Sequence, residues 1–149
     1  MKISRKSIYG VRAMIEIALR TEEGVAAWQQ ISSIAKTTVI PDKFLEQILL
    51  TLKKNGLLKS RRGVDGGYAL NVPAQEITLE QLVMTLDSQM SPEEEIETGP
   101  DGSGLVFRQL IQSAEDAAVE VLRGKTLHDL VVETRNWRQK NDPGMEFMI

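Results

Sequence analysis

The middle of the chain shows an apolar pattern with the spacing of an amphipathic helix. Four apolar residues fall at intervals of three and four, which places them on one helical face: Leu45, Ile48, Leu49 and Leu52. Pro41 suits the first turn of this helix. Asn55 followed by Gly56 suits its end, because glycine readily adopts the left-handed conformation found there. We therefore predict a helix over residues 41–55 whose opposite face is polar.

The residues that follow this helix predict a short β-hairpin. Residues 59–61 and 68–70 can pair as strands. The loop over residues 62–67 contains Asp65-Gly66-Gly67, a sequence with the chemistry of a tight turn. A helix with a polar outer face, followed by a basic and glycine-rich hairpin, is the order of the recognition helix and wing in a winged helix-turn-helix.

The N-terminal third completes this architecture with two more helices. The apolar spacing predicts one helix over residues 5–20, capped by Ser4, and a second over residues 28–36 with Trp28 facing inward. A turn over residues 37–40 joins the second helix to the third. Two short helices joined this closely are typical of a helix-turn-helix. The predicted fold class is therefore mainly α, with a small β-hairpin wing.

The C-terminal half is divided by a segment of different composition. Residues 91–104 are acidic and rich in glycine and proline, which predicts an exposed, mobile loop. A long amphipathic helix is predicted from Leu105 to Arg123, and a last helix begins near Thr126. The predicted division is a winged helix-turn-helix domain over residues 1–90, the acidic loop over residues 91–104, and a dimerisation helix, final helix and tail over residues 105–149.

The net charge of −3 conceals a strong asymmetry between the two halves of the chain. Residues 1–67 contain twelve Lys or Arg and six Asp or Glu, whereas residues 68–149 contain six Lys or Arg and fifteen Asp or Glu. A basic half joined to an acidic half indicates that one face meets a polyanion. The sequence has neither a long apolar run nor a secretory signal, so we expect a cytoplasmic protein without a membrane partner.

One ordered set of residues resembles a known family. It comprises Met1 to Ser4 with Lys6, Tyr9, Arg12 and Ala13; Phe44 to Gln47; Leu52 to Leu57; Arg62 with Gly63; Gly66 to Leu70; and Thr126, Leu127 and Leu130. In these residues the chain resembles the Rrf2 family of bacterial winged-helix transcriptional regulators, over residues 1–135. The resemblance implies a dimeric DNA-binding transcription factor that dimerises through residues 105–123.

The resemblance also bears on cofactors. In several members of the family, three cysteines in the loop before the long helix hold a 2Fe–2S cluster, and some members place a histidine ligand at the start of that helix. This chain has no cysteine, and the stretch from Ser103 to Phe107 has no histidine. We therefore expect a cysteine-less member with no iron–sulfur cofactor. The acidic run from Glu93 to Glu97 is interpreted as a solvated loop and not as a metal site.

The resemblance and the residue chemistry together indicate DNA contacts on the third helix. In the family, the pair corresponding to Glu46 and Gln47 can read base edges. The chemistry agrees, because glutamine can pair with adenine and glutamate can accept a hydrogen bond from cytosine. Lys43 and Lys54 suit phosphates, which position a protein on DNA without reading its sequence. The alternative interpretation of these residues is a solvated helix face.

Two further regions are candidate contacts. An arginine at the tip of a glycine-rich hairpin can enter a narrow minor groove. We favour Arg62 over Arg61, because alternation along a strand turns one of the two toward the protein. The start of the first helix can hold a phosphate through backbone N–H groups and cations. The complete candidate set is Ser4, Arg5, Lys6, Lys43, Glu46, Gln47, Lys54, Arg61, Arg62 and Gly63.

The long predicted helix carries an apolar stripe of small and large residues. Its members are Val106, Leu110, Ala114, Ala117 and Val121. Small residues let two helices approach closely and larger ones supply buried area, so we predict that the stripe forms a homodimer interface. Two-fold symmetry would place two recognition helices on successive major-groove faces, which predicts a roughly palindromic operator in double-stranded DNA.

The predicted function is that of a sequence-specific transcriptional regulator, acting as a homodimeric repressor. The alternative is a winged-helix module that binds another protein and not DNA, which the basic charge of residues 1–67 disfavours. An enzyme is not predicted, because no cluster supplies a nucleophile, a base and an orienting group together. The kind of effector stays open among a small molecule, a partner protein and no signal beyond the concentration of the protein itself.

Overall fold

The protein is built from six α-helices and one β-hairpin in the part of the chain that the computed structural model describes, residues 3–87 and 98–142. The helices are α1 (Arg5–Glu22), α2 (Ile31–Thr38), α3 (Asp42–Lys54), α4 (Leu79–Leu86), α5 (Ser103–Arg123) and α6 (Leu127–Lys140). The strands are β1 (Leu58–Arg61) and β2 (Gly67–Leu70), and a 3-10 turn over Ala74–Glu76 leads from the hairpin to α4. The predicted fold class, mainly helical with a hairpin wing, is confirmed.

The predicted third helix is confirmed as α3, and its sequence explains its bounds. The four residues of its apolar stripe are completely buried: Leu45, Ile48, Leu49 and Leu52. Pro41 precedes the first helical residue, and Asn55 follows the last. Gly56 then adopts a φ of +78°, a left-handed conformation that ends the helix and that glycine tolerates.

The second helix begins later than the apolar spacing predicts. The prediction of a helix over residues 28–36 is wrong at its start, because Gln29 pairs with the wing before α2 begins at Ile31. The backbone N–H of Gln29 donates to the Tyr68 carbonyl, and the Tyr68 N–H donates to the Gln29 carbonyl, both at 2.8 Å. Trp28 therefore lies half-buried in a bend beside β2 and does not face inward from a helix.

The hairpin forms where the sequence predicts it, and each strand is one residue longer than predicted, with Leu58 added to β1 and Gly67 added to β2. The pairs are Leu58 with Leu70, Lys59 with Ala69, Ser60 with Tyr68, and Arg61 with Gly67. Two glycines are required because backbone segments approach closely there. A Cβ on Gly66 would lie 2.1 Å from the carbonyl oxygen of Arg61. A Cβ on Gly67 would lie 2.3 Å from the carbonyl oxygen of Gln29.

One hydrophobic core joins helices from both halves of the chain. Its fully buried members include Met14 and Ile17 of α1, Ile34 of α2, Leu82 of α4, and Leu127 and Val131 of α6. Helix α1 is central, because α2, α3, α4 and α6 all pack against it. The close packing of α1 on α4 depends on Gly10, where a Cβ would lie 2.3 Å from Leu86. The last helix therefore shares the core of the helix-turn-helix.

Helix α5 differs from this arrangement, because none of its residues is buried. Its C-terminal end is attached to the core through Leu122 and to α4 through an ion pair, in which Arg123 Nε lies 2.8 Å from Glu80 Oε2. At its other end Asp101 accepts a hydrogen bond from the Ser103 N–H at 3.2 Å. The helix is thus attached to the core at its C-terminal end, while most of its apolar stripe stays open.

Some predicted features lie outside the described residues. They include most of the acidic loop, with the run from Glu93 to Glu97, and the end of the tail over residues 143–149. In the part of the chain that the structure does describe, no helix combines the length and the apolar character needed to cross a membrane.

Candidate nucleic-acid interface

The outer face of α3 is open to solvent. Because its apolar stripe turns toward the core, the polar residues opposite are all exposed: Lys43, Glu46, Gln47 and Lys54. Phe44 fixes the N-terminal end of the helix on α1, where its ring packs edge-on against Tyr9 with centroids 5.5 Å apart. The structure therefore brings the predicted recognition residues together on one accessible face of a helix that is rigidly held from behind.

Tyr68 connects this face with the wing. It is half-buried in β2, and burial, followed by the negative charge of Glu46, raises its pKa above the ordinary value of 10.0. Helix α3 also packs against β1. The exposed face of α3 and the wing therefore lie next to each other.

The two wing arginines are placed differently. Arg61, the last residue of β1, lies over the indole of Trp28 with its Cζ 5.9 Å from the ring centroid. Arg62 stands in the exposed loop beyond the strand, and Gly63 follows it with a φ of +110°. Of the two side chains, Arg61 is the one packed against the protein, and Arg62 is carried at the wing tip.

An acidic residue that no sequence pattern places there, Asp87, lies at the start of α1. Ser4 caps α1 by accepting a hydrogen bond from the Ser7 N–H at 3.1 Å. The backbone N–H of Ser4 donates to Asp87 Oδ2 at 3.3 Å. A carboxylate therefore already occupies the position where a phosphate could meet the Ser4 N–H. The cations Arg5 and Lys6 remain beside it, with Arg5 exposed.

Asp87 is held in its ionised form at this place. Burial opposes ionisation, but hydrogen bonds from Ser4 and Ser7 and the nearby charge of Lys6 outweigh it, so the pKa of Asp87 is lowered from the ordinary 3.8. The carboxylate also compensates the positive end of the α1 dipole. The negative charge of Asp87 consequently weakens the start of α1 as a phosphate site, compared with the same helix without it.

No sequence pattern predicts the connections that hold the wing. Besides the Gln29–Tyr68 pairing, the side-chain amide of Gln30 donates to the Val64 carbonyl at 2.7 Å and ties the wing loop to the start of α2. Helical and strand periodicity carry no signal for contacts between such distant residues. The glycine pair that ends the wing loop was the available signal, because a glycine in a strand often marks the close approach of another backbone.

The predicted dimerisation stripe is exposed along α5. Its larger members have exposed fractions of 67% for Val106, 64% for Leu110 and 68% for Val121, and Ala114 and Ala117 are exposed as well. Leu105 and Phe107, near the start of the helix, have exposed fractions of 48% and 52%. A contiguous apolar surface of this kind is typical of an interaction site.

Comparison with known proteins identifies the family. The family model for Rrf2, described as an iron-dependent transcriptional regulator, matches residues 3–133. The chain belongs to the Rrf2 family. Among Rrf2 relatives, it is similar to the HTH-type transcriptional regulator CymR of Bacillus subtilis, with 37% identity over 134 residues that cover 90% of this chain and 92% of that protein. It is 30% identical to the HTH-type transcriptional regulator IscR of Pectobacterium atrosepticum over 133 residues, 88% of this chain and 79% of that one.

The fold of this Rrf2 protein agrees with that of solved relatives. Its structure is similar to that of Bacillus subtilis CymR with a TM-score of 0.76 and 35% identity, covering 89% of this chain and 98% of CymR. The predicted resemblance is therefore confirmed. The protein is a DNA-binding transcriptional regulator with a winged helix-turn-helix, and not an enzyme.

The donor set of this Rrf2 protein does not fit a thiolate-held iron centre. The chain has no cysteine, and the Nδ1 of its one histidine, His128, lies 3.6 Å from Glu22 Oε1. Over residues 3–87 and 98–142, no three histidine or acidic residues stand together in a way that could hold a metal ion. Oxygen and nitrogen donors suit an iron–sulfur cluster poorly. The described residues thus do not supply the ligands of a thiolate-held cluster.

Proposed function

We propose that the protein is a homodimeric repressor that binds a roughly palindromic operator and works without an iron–sulfur cluster. The observation that carries the proposal is the open polar face of α3, which stands exposed beside the wing. A helix held rigidly from behind and open in front can enter the major groove of B-DNA. The basic excess of residues 1–67 lies in the same part of the chain and favours a polyanionic partner.

The proposed contacts divide into those that read bases and those that position the protein. Gln47 and Glu46 meet base edges in the major groove, through pairing with adenine and acceptance from cytosine. Lys43 and Lys54 meet phosphates, as do the cations at the start of α1. Arg62 enters the minor groove from the wing tip, where the potential is most negative when the groove is narrow.

The proposed mode of action is occupation of promoter DNA. Two copies joined along α5 would present two recognition faces to one side of the duplex, and the half-sites would be about one helical turn or a multiple of it apart. A dimer bound in this way would block RNA polymerase from the promoter and would need no further contact to do so. A small molecule or a partner protein that changes the relation between the two copies would then control repression.

The experiment that tests DNA recognition starts from random DNA. Fragments bound by the protein are selected and sequenced, and the enriched site is footprinted. We expect a palindromic site. Gln47→Ala should weaken discrimination at one base-pair position by about 10-fold or more, and Arg62→Ala should weaken binding with little loss of thermal stability. Lys140→Ala, which removes an exposed cation of α6, is the matched control and should bind like the parent protein.

Two further measurements test the phosphate contacts and the assignment as a repressor. Affinity for the selected site should fall by about 100-fold or more between 50 and 200 mM salt, because phosphate contacts release counterions. Transcription in vitro from a promoter that contains the site should decrease when the protein is added. Failure to enrich any site, or an affinity that hardly changes with salt, would contradict the proposal. Increased transcription would contradict the assignment as a repressor.

A further inference from the structure

Two cations of the wing lie over one aromatic ring. The Nζ of Lys59 is 5.6 Å from the centroid of the Trp28 indole, and the Cζ of Arg61 is 5.9 Å from the same centroid. Both distances fall within the roughly 6 Å over which a cation is attracted to the face of an aromatic ring. The ring is half-buried, whereas the two cationic residues are exposed. Trp28 therefore underlies the basic edge of the wing.

The backbone places the indole on this side of the wing. Gln29 forms an isolated bridge with Tyr68, and Trp28 precedes it in a bend, with its ring below Lys59 and Arg61 of the two-stranded hairpin. The partners of these two cations in β2 are Ala69 and Gly67. Because both partners are small, β2 leaves room for the indole to reach across to the cations of β1.

The position of Trp28 is fixed independently of the cations. The segment that carries it makes two backbone hydrogen bonds with Tyr68, and the adjacent Gln30 holds the wing loop through the Val64 carbonyl. The space between this segment and the wing is a groove of about 460 Å³, lined by Trp28 and Arg61 among others. The backbone that carries the ring is thus held in place, whereas the side chains above the ring are long and intrinsically flexible.

We propose that Trp28 is a positioning residue for DNA binding, which holds Lys59 and Arg61 in place to meet the phosphate backbone beside the wing. The proposal rests on the proposed function and extends it to two cations and one aromatic residue. An unrestrained lysine or arginine loses much rotamer entropy when it binds, so a platform that orders both beforehand lowers the cost of binding. The ring also offsets the repulsion between two like charges held side by side.

The first test measures operator affinity against salt for Trp28→Leu and Trp28→Phe in the full-length protein. Trp28→Leu removes the aromatic face, so affinity should fall about 5- to 30-fold, as expected for two cation–π contacts. The slope of log affinity against log salt should become less steep by about one to two units, as phosphate contacts are lost. Trp28→Phe keeps an aromatic face and should remain within about 3-fold of the parent. Trp137→Leu, at the exposed tryptophan of α6, is the matched control and should change neither quantity.

The second test separates positioning from a purely structural role. In a Lys59→Ala/Arg61→Ala background, Trp28→Leu should cause no further loss of affinity, since the side chains that it positions are gone. An equal loss in both backgrounds, or an equal loss for Trp28→Leu and Trp28→Phe, would overturn the proposal. If Gln47→Ala and Arg62→Ala weaken binding while Trp28→Leu does not, this inference fails and the proposed function stands. If no variant and no salt concentration affects binding, the proposed function itself fails.

A third measurement needs no DNA and still applies if Trp28→Leu fails to fold. The chain has two tryptophans, so Trp137→Phe leaves Trp28 as the only indole. Its emission should change when Lys59→Ala/Arg61→Ala is added, because two charges leave the ring face, and should change again when the operator binds the single-tryptophan protein. Emission that is unchanged by loss of both cations would overturn the arrangement on which the proposal depends.

Discussion

The hydroxyl of Ser7 donates a hydrogen bond to Asp87, a residue 80 positions further along the chain, and so joins the start of α1 to the end of α4. Asp87 also accepts from the Ser4 N–H at 3.3 Å. Asp87, which directly follows α4, thereby binds the N-terminal end of α1. This contact lies next to Arg5 and Lys6, and it links the packing of α4 to one edge of the proposed DNA surface.

The first prediction concerns acid stability. Hydrogen bonds from Ser4 and Ser7 lower the pKa of Asp87 below 3.8 despite its burial, so the ionised carboxylate stabilises the fold at neutral pH. That contribution should be present above about pH 4 and lost as the pH falls through the folded-state pKa. Asp87→Asn should therefore melt at a lower temperature than the parent at pH 7, and the difference should shrink toward pH 3.

The control for this prediction is Asp42→Asn, which removes a carboxylate from the first turn of α3. This substitution measures the effect of a negative charge near a helix N-terminus alone. That effect is typically about 0.3–1 kcal/mol at exposed sites. Asp87→Asn should cost more, since it also weakens bonds from Ser4 and Ser7. A loss for Asp87→Asn that is equal at pH 7 and pH 3 would show that the charge is not what stabilises this contact.

The sequence predicted the elements whose signal is local. The apolar spacing of α3, the glycine that ends it and the place of the hairpin all depend on residues close together in the chain. The start of α2 was misplaced because Gln29 pairs with Tyr68 from the wing, and this contact overrides the helical pattern. Asp87 was missed at the start of α1 for the same reason, since no periodicity relates residues so far apart. Strand alternation favours Arg62 over Arg61 as the exposed arginine, but only the position of Trp28 shows what Arg61 packs against.

The second prediction concerns the turn of the helix-turn-helix. Val39 ends α2 in the left-handed conformation, with a φ of 58° and a ψ of 36°, and its side chain is 83% exposed. A β-branched residue in this region is strained by about 1–2 kcal/mol, whereas glycine adopts it freely but loses about 0.5–1 kcal/mol of chain entropy on folding. Val39→Gly should therefore stabilise the protein by about 0.5–1 kcal/mol in urea unfolding. Val39→Ala keeps a Cβ and should gain less, and a destabilised Val39→Gly would mean that the exposed isopropyl group makes a favourable contact.

The third prediction concerns the attachment of the wing. In Gly67→Ala, the new Cβ would lie 2.3 Å from the Gln29 carbonyl oxygen, at a residue whose φ is +139°. The segment carrying Trp28 would have to move away from β2, so we expect a loss of about 3 kcal/mol or more of unfolding free energy. Gly63→Ala is the matched control, because Gly63 also has a positive φ but has nothing within 4 Å of its Cβ position. Gly63→Ala should lose only about 1–3 kcal/mol of unfolding free energy, which is the cost of the strained backbone. Equal losses for the two variants would show that the contact with Gln29 is unimportant.

The fourth prediction concerns iron. Without a single cysteine, the chain has no thiolate with which to hold an iron–sulfur cluster. Protein purified without oxygen from iron-replete cells should therefore be colourless and should bind its operator in that state. The measurements are the visible absorption spectrum and the iron and sulfide content. Stoichiometric iron and sulfide with a visible absorption band would contradict the proposal of a cluster-free regulator.

The last prediction concerns assembly. Leu110 is 64% exposed at the middle of α5, so a glutamate there should be tolerated in a single chain. In a dimer joined along this helix, however, the same glutamate would be buried without a partner, at a cost of several kcal/mol. Leu110→Glu should therefore become monomeric in sedimentation equilibrium and lose operator binding, while its circular dichroism and thermal unfolding remain those of a folded protein. The loss of DNA binding follows because one recognition helix reads only one half-site, and the second half-site no longer adds its contacts.

The control is Gln109→Glu, which introduces the same charge on the same helix, about 100° around its axis from Leu110. This variant should remain dimeric. A Leu110→Glu protein that stays dimeric and binds its operator normally would show that the two copies meet through another surface than α5.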